Sequence, residues 1–356
     1  MNFGTKTSVG ISVADHAIEA IELTGGIKPS IRARSRIALD EGTVVKGTIR
    51  DEKKLAVAFT KLFADASPSP ITKRNIVFGV PETAIYFHIF EAQKISFENI
   101  AREPSRNIPL PQEDIAWGHC VSTLTKGVSR VVITATSRAL IESWQKFLSA
   151  RGISVDIFDI EVFAIFRNIF HEFPKKPVLL VDMGGRTTVI SIFDSAGLAY
   201  TRSSHIAGEY LTREIAAALK VTRDEAEASK VAVGLENREH PLFFPLIKGL
   251  GAIMMEIRAA QEHFARSNNL RISEIVLVGG SSHMLGIGQY MEANLGLPIK
   301  PVPKSSDVEA VGYALRGLED RWNATDPQIL LDRAQKRESH WSAPDKQKSW
   351  WHIFTK

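Results

Sequence analysis

Apolar and polar residues alternate across residues 8–23 around a tight turn, a pattern that predicts a β-hairpin. Residues 31–39 offer a further strand. Between Lys53 and Ala66 the spacing changes, and Leu55, Val57, Ala58, Leu62 and Phe63 recur at helical intervals. The run SPSP at residues 67–70 closes that helix, because proline cannot continue it. Residues 75–80 form a short apolar strand. Pro104, Pro109 and Pro111 then interrupt the pattern. Beyond them the sequence predicts a strand at 131–136, an amphipathic helix at 137–150 and a helix stop at Gly152. A strand at 155–160 and a helix at 161–170 follow.

The second half opens on a continuous apolar run at 178–181, the signature of a buried central strand. A glycine turn, DMGGRTT, leads to a strand at 189–193. Residues 208–219 predict a helix. Thr222 begins another, with Glu225 three residues on at the capping-box position. A long helix at 246–266 precedes a buried strand at 275–278, the pair Gly279 and Gly280, and a helix near Leu285. Asp307 caps a last helix that ends near Leu318. Strands alternating with helices predict α/β architecture. There is also an internal echo. The turn after Val9-Gly10-Ile11 and the turn after Leu179-Leu180-Val181 each join an apolar strand to a second one. This register sets Ser12 against Asp182 and Ala14 against Gly184, as two related halves around a cleft would require.

Composition narrows the function classes. The chain has 356 residues, 44% hydrophobic and 24% charged, which is enough apolar material for two or three cored domains. One cysteine, Cys120, rules out an internal disulfide and suits a reducing compartment. The opening MNFGTKTSVGISVAD has no apolar core typical of a secretory signal, and no run of about 18 apolar residues predicts a membrane span. The net charge of +4 is dispersed, so nucleic acid is not an expected partner.

Two turns could carry chemistry. In Asp182-Met183-Gly184-Gly185-Arg186-Thr187-Thr188 the glycines let a backbone approach a phosphate, the threonines add donors, and Asp182 could hold Mg²⁺ through water. Alone, the same residues also describe a hairpin turn with solvated side chains. Val276-Leu277-Val278-Gly279-Gly280-Ser281-Ser282 is a second glycine turn, open to a phosphate or an adenosine. Neither a P-loop nor a Rossmann fingerprint occurs. His16, His88, His119, His205, His263 and His283 lack metal-ligand spacing and read as structural.

Together the two turns resemble the actin superfamily, in which a D-x-G-x-x-x-T phosphate loop pairs with a V-G-G adenosine loop. Gly47-Thr48-Ile49-Arg50-Asp51, Ile108-Pro109-Leu110-Pro111, the stretch VVITATSRALIESWQKFLSARGISVDIFDIEVFAIFRN and the tract from Ala207-Gly208 to Lys230 are similar to the PilM family of type IV pilus assembly proteins. The resemblance implies an actin-like (ribonuclease H-like) two-lobed fold, with duplicated halves around a nucleotide cleft and an inserted α+β subdomain. It sets the first lobe at 1–81 with return segments 153–176 and 303–320. The inserted subdomain falls at 82–152, the second lobe at 177–302, and a flexible tail at 321–356.

The same resemblance implies ATP with Mg²⁺ in the cleft. Asp182 would be the catalytic and metal-facing carboxylate, and Glu161 would order the attacking water, although at a helix start it also reads as simple charge complementarity. Contacts to the nucleotide would come from Ser12, Gly184, Gly185, Thr187, Thr188, Gly208, Glu227, Lys230, Gly279, Gly280 and Ser281. As exposed helix residues, Glu227 and Lys230 also read as merely solvated. The first phosphate loop departs from the family pattern: Ser12 replaces an aspartate, Ala14 a turn glycine and Glu19 a lysine. That predicts a poor ATPase at most. Glu19 either faces a polyphosphate or points to solvent, and Asp15 need not compensate.

The implied partners are the N-terminal tail of a PilN-like inner-membrane protein and the pilus assembly ATPase machinery, on the cytoplasmic face of the membrane. Trp350, Trp351 and Phe354 beside Lys346 and Lys348 suit a membrane interface, a partner's groove, or packing back on the body. Rival readings are an FtsA-like division filament and a sugar-kinase-type phosphotransferase.

Overall fold

The computed structural model describes residues 6–318, apart from residues 27, 126, 171, 301 and 303–306. The tail with Trp350, Trp351 and Phe354 lies outside the described residues. The chain forms two compact units, one of residues up to Glu172 and from Asp307 onward, the other Phe173–Ser306.

In the first unit, β1 (Thr7–Ala14) and β2 (Ala17–Thr24) make the expected hairpin and β3 (Ser30–Ala38) adds to it. A small ribbon of β4 (Val44–Val45) and β5 (Thr48–Ile49) precedes α1 (Glu52–Ala64), whose N-cap Asp51 accepts the Lys54 amide at 3.0 Å. Next comes β6 (Ile76–Val80). Then β7 (Tyr86–Ala92), α2 (Phe97–Asn107), β8 (Ile115–Thr125), β9 (Val128–Ser137) and α3 (Arg138–Ser149) follow in order. β10 (Val155–Ile160) and α4 (Glu161–Ile169) close this stretch.

The proline-bearing segment is more regular than its sequence predicts. Helix α2 runs through Pro104, which lies in its last turn with its ring buried and so disrupts little of the ladder. Strands β7 and β8 flank β9 in a three-stranded antiparallel sheet. Helix α3 joins the main core of this unit: the Trp144 ring lies 4.9 Å from Phe78, and its Nε1 donates to the Gly47 carbonyl at 2.8 Å.

The second unit holds β11 (Val178–Met183), β12 (Thr188–Asp194), β13 (Gly197–Ser204), α5 (Gly208–Leu219), α6 (Arg223–Val233), α7 (Phe243–Asn268), β14 (Glu274–Val278), α8 (Ile287–Leu295) and β15 (Ile299–Lys300). The capping box of α6 forms as its sequence predicts, with Thr222 and Glu225 bonded reciprocally. Strands β13 and β15 are the elements that sequence reading misses here, β13 because its outer half is polar and exposed and β15 because it is only 2 residues long. The apolar faces of α5, α7 and α8 close over β11, β12 and β14 in one core.

Both units are built on one wiring. The first sheet runs β3-β2-β1-β6-β10 and the second β13-β12-β11-β14-β15. In each, the leading strand pairs antiparallel with the next strand and parallel with the strand on its other side. This is the duplication that the echo of Val9–Ile11 in Leu179–Val181 predicts.

The last helix, α9 (Val308–Leu318), returns to the first unit. Small residues let it pack almost backbone to backbone there. A Cβ on Gly10 of β1 would stand 2.0 Å from the Ala310 carbonyl, and one on Gly312 would stand 1.9 Å from the Ala164 carbonyl of α4. Gly79 of β6 likewise lies flat against the buried Tyr313 ring. Among the described residues, no helix is long and apolar enough to cross a membrane.

Candidate functional site

Strand β11 is buried throughout and ends at Asp182 and Met183, delivering a carboxylate to its C-terminal edge. The turn after it closes with the Gly184 amide donating to the Thr187 carbonyl at 3.0 Å. Gly185 is exposed and has nothing within 4 Å of where a Cβ would stand. Thr188 is buried at the start of β12, and its hydroxyl donates to the Ile206 carbonyl at 2.8 Å.

The second glycine turn meets the first. Gly279 has φ +84°, and a Cβ there would fall 2.2 Å from Asp182 Oδ1 and 2.7 Å from the Met183 carbonyl oxygen. Only glycine permits this approach. Gly280, the next residue, is exposed onto open space. Ser281 Oγ donates to the Gly184 carbonyl at 3.4 Å.

Helix α5 starts where the two turns converge. The Gly208 amide donates to the Gly184 carbonyl at 3.0 Å and the Glu209 amide to the Gly185 carbonyl at 2.7 Å. A Cβ on Gly208 would lie 2.5 Å from Ser281 Oγ. Exposed Arg186 and Arg223 both reach Glu209 Oε1 at 3.3 Å.

Lys230 is not a solvated helix residue. It is buried, and its ammonium donates to Glu227 Oε2 at 2.7 Å, to Thr212 Oγ1 at 2.8 Å and to the Gly208 carbonyl at 3.1 Å. Burial pushes the Glu227 carboxyl up, but the hydrogen bonds from Lys230 and Thr212 and the nearby charges outweigh it and hold the group below its usual range. Sequence reading misses Thr212, a buried hydroxyl on the apolar face of α5. Its one signal is a polar residue beside Leu211 within an otherwise core-facing stripe.

The remaining candidates lie in the first unit. Ser12 is buried on β1, and its hydroxyl donates to Glu309 Oε2 at 2.6 Å. Glu161 opens α4, and one of its carboxylate oxygens lies within 4.8 Å of one of Glu309. Glu309 in the first turn of α9 carries no sequence signal. Below this pair, Asp159 and Arg167 form a fully buried ion pair at 3.0 Å, and Arg167 also donates to the Gly312 carbonyl at 2.8 Å. This ties the end of β10 and the last turn of α4 to α9. Tyr313 is buried beside these groups. Loss of water, then the charges of Glu161, Glu309, Asp159 and Glu82, push its phenol far above the ordinary value, so it stays protonated.

Glu19 neither faces solvent nor stands alone: it is buried against Arg36 across the β2–β3 pair. Asp15 caps a different turn, accepting the Lys46 amide at 3.0 Å and the Gly47 amide at 3.4 Å. The histidines show no metal-ligand arrangement among the described residues. His119 packs between Phe97 and Trp117, and loss of water lowers its pKa.

Two identically wired sheets, with a carboxylate and paired glycine turns at one strand edge, define an actin-like protein. Solved structures agree on the fold. A PilM–PilN type IV pilus biogenesis complex aligns with a TM-score of 0.74 at 20% identity, over 88% of this chain and 99% of that chain. MreB5 of Spiroplasma citri, bound to AMPPNP, aligns at 0.54 with 13% identity over 94% and 98% of the respective chains. The family model described as "Type IV pilus assembly protein PilM" matches residues 10–312. The chain belongs to the PilM family of type IV pilus assembly proteins. Among curated proteins, cell division protein FtsA of Pseudomonas aeruginosa is 28% identical over 199 residues, 49% of this chain and 46% of the relative. FtsA of Neisseria meningitidis serogroup B is 24% identical over 201 residues, 48% and 46% respectively. The chain spans about half the length of these curated relatives.

Proposed function

We propose that this chain is an ATP-binding, actin-like adaptor of a type IV pilus or related secretion machinery. It docks the cytoplasmic N-terminal tail of a PilN-like inner-membrane protein and links that platform to the assembly ATPase. Membership of the PilM family and the fold shared with a PilM–PilN complex support the partner.

The observation that carries the nucleotide reading is the contact of Gly279 with Asp182, which brings the two glycine turns to one carboxylate. Gly184, Gly185, Thr187, Gly280 and Ser281 would cradle the phosphates and adenosine, and Glu227 would face the ribose. Thr188 and Gly208 would shape the cradle from within. The donor set fits magnesium: Asp182 offers the hard oxygen that ion prefers, with exposed glycines leaving room for its water. When bound, Mg²⁺ would neutralise phosphate charge. Glu161 would orient water, and the sequence resemblance implies an aspartate where this chain has Ser12, so any hydrolysis is slow and serves switching. The protein would work on the cytoplasmic face of the inner membrane, with Trp350, Trp351 and Phe354 giving weak, salt-sensitive contact with acidic lipid.

Kinship with FtsA keeps a membrane-tethered filament as the second reading, and the family match over residues 10–312 favours the first. A labelled peptide of the PilN-like cytoplasmic tail decides between them. Saturable binding to the full chain, with affinity that changes on adding ATP and Mg²⁺, is the expected result. No binding in either state, together with nucleotide-dependent sedimentation of the protein, would overturn the adaptor reading in favour of the filament.

A further inference from the structure

A lysine ammonium carries three protons. In Lys230 all three have acceptors inside the fold: Glu227 Oε2, Thr212 Oγ1 and the Gly208 carbonyl. The side chain is 6% exposed, so a ligand hydroxyl could reach it only by displacing one of these partners. Thr212 or the Gly208 carbonyl would then be left under-bonded in a buried place, and displacing the half-exposed Glu227 would take the buried ammonium away from a carboxylate partner, both of which are unfavourable. The partners also have a common target. Gly208 is the first residue of α5, and its amide and that of Glu209 hold the carbonyls of Gly184 and Gly185. Thr212 stands one turn further along the same helix, 2.9 Å from the Gly208 carbonyl. Gly208 is also packed on Ser281 of the other glycine turn.

We propose that Lys230 is a positioning residue. It fixes the first turn of α5, and through Gly208 and Glu209 it sets the path of the Gly184–Gly185 turn, without touching the ligand. Glu227 is then held as well as neutralised, with Oε2 turned to Lys230, and of the two side chains it alone is exposed to a sugar. This assignment deepens the nucleotide reading by removing Lys230 from the ribose contacts. Its geometric half stands without any nucleotide.

The test has two arms on the full-length protein. The first measures hydrogen exchange without nucleotide. Lys230→Met and the isosteric Thr212→Val both speed exchange at the Gly208 and Glu209 amides by about fivefold or more, as loss of a buried hydrogen bond in a local opening should. Wild-type rates at these amides in a folded variant would overturn the positioning role. The second arm measures the affinity of wild type and Lys230→Met for ATP, 2′-deoxy-ATP and 3′-deoxy-ATP. The variant loses the same factor for all three, because it perturbs the turn that meets the phosphates. A loss that vanishes with either deoxynucleotide would show that Lys230 reaches the ribose and would overturn the assignment. If wild type binds none of the three, the nucleotide reading fails, and the exchange arm alone decides the role of Lys230. If Lys230→Met does not fold, Thr212→Val, which keeps volume and charge, carries both arms.

Discussion

The hydroxyl of Ser12 donates a 2.6 Å hydrogen bond to Glu309 Oε2, so a carboxylate stands beside position 12 although that residue carries none. The bond joins β1 to the first turn of α9 across 297 positions of sequence. Replacing Ser12 by aspartate is therefore not a neutral change. Ser12→Asp sets two carboxylates within hydrogen-bonding distance, and the fold should lose about 1–3 kcal/mol. Adding Glu309→Gln should recover much of it. Denaturant unfolding of the four proteins in this cycle checks the pair, with a coupling above about 0.5 kcal/mol expected. Strict additivity would show that the two positions do not interact.

The buried pair of Asp159 and Arg167 makes a larger prediction. Arg167→Met leaves the Asp159 carboxylate uncompensated in the core and should cost about 3–5 kcal/mol. Arg102→Ala removes an exposed pair with Glu98 on α2 and should change little. Equal effects of the two substitutions on urea midpoints would contradict this ranking.

Acid should act through Glu22. Burial pushes this carboxyl up, but hydrogen bonds from Arg32 and Thr72 prevail, and its folded pKa lies below its ordinary value of 4.5. A depressed carboxylate adds stability above its ordinary pKa and loses it as pH falls through the folded value. Between about pH 5 and about pH 3, wild type should therefore lose stability more steeply than Glu22→Gln. Parallel pH profiles of the melting temperature would refute the assignment.

The two glycines of the second turn should separate fold from ligand. Gly279 sits at φ 84° and ψ 166°, a region open essentially to glycine, with Asp182 against its Cα. Gly279→Ala should cost about 1–3 kcal/mol and weaken nucleotide binding together. Gly280→Ala meets open space, so stability should stay within about 0.5 kcal/mol. ATP affinity should nonetheless fall if the nucleotide lies against that backbone. Differential scanning calorimetry with and without ATP and Mg²⁺ reads both effects.

The elements that sequence reading located are those whose pattern is local. The hairpin at β1 and β2, helix α5 and the capped start of α6 each carry alternation, helical spacing or a capping pair within a dozen residues. Strands β7, β8 and β13 escaped because they mix half-buried positions on both faces, leaving no clean period. The two glycine turns were legible because each is a short run of paired glycines after a buried strand, and close approach demands glycine at Gly279. The surroundings of the β1–β2 hairpin turn were not. Glu309 reaches Ser12 from the far end of the chain, and Glu19 gains its partner Arg36 only through the β2–β3 register. Lys230 looked solvated for the same reason: its burial depends on Thr212 and Gly208, which belong to another helix.

On the proposed reading, Asp182 organises a magnesium–nucleotide site at the edge of the second sheet. Isothermal titration of ATP with Mg²⁺ into wild type and Asp182→Ala tests it most directly. Asp182→Ala should lose magnesium-dependent affinity worth about 1–3 kcal/mol while keeping its fold by circular dichroism. Equal affinities for ATP and Mg²⁺ in the two proteins would remove Asp182 from the site and contradict the account.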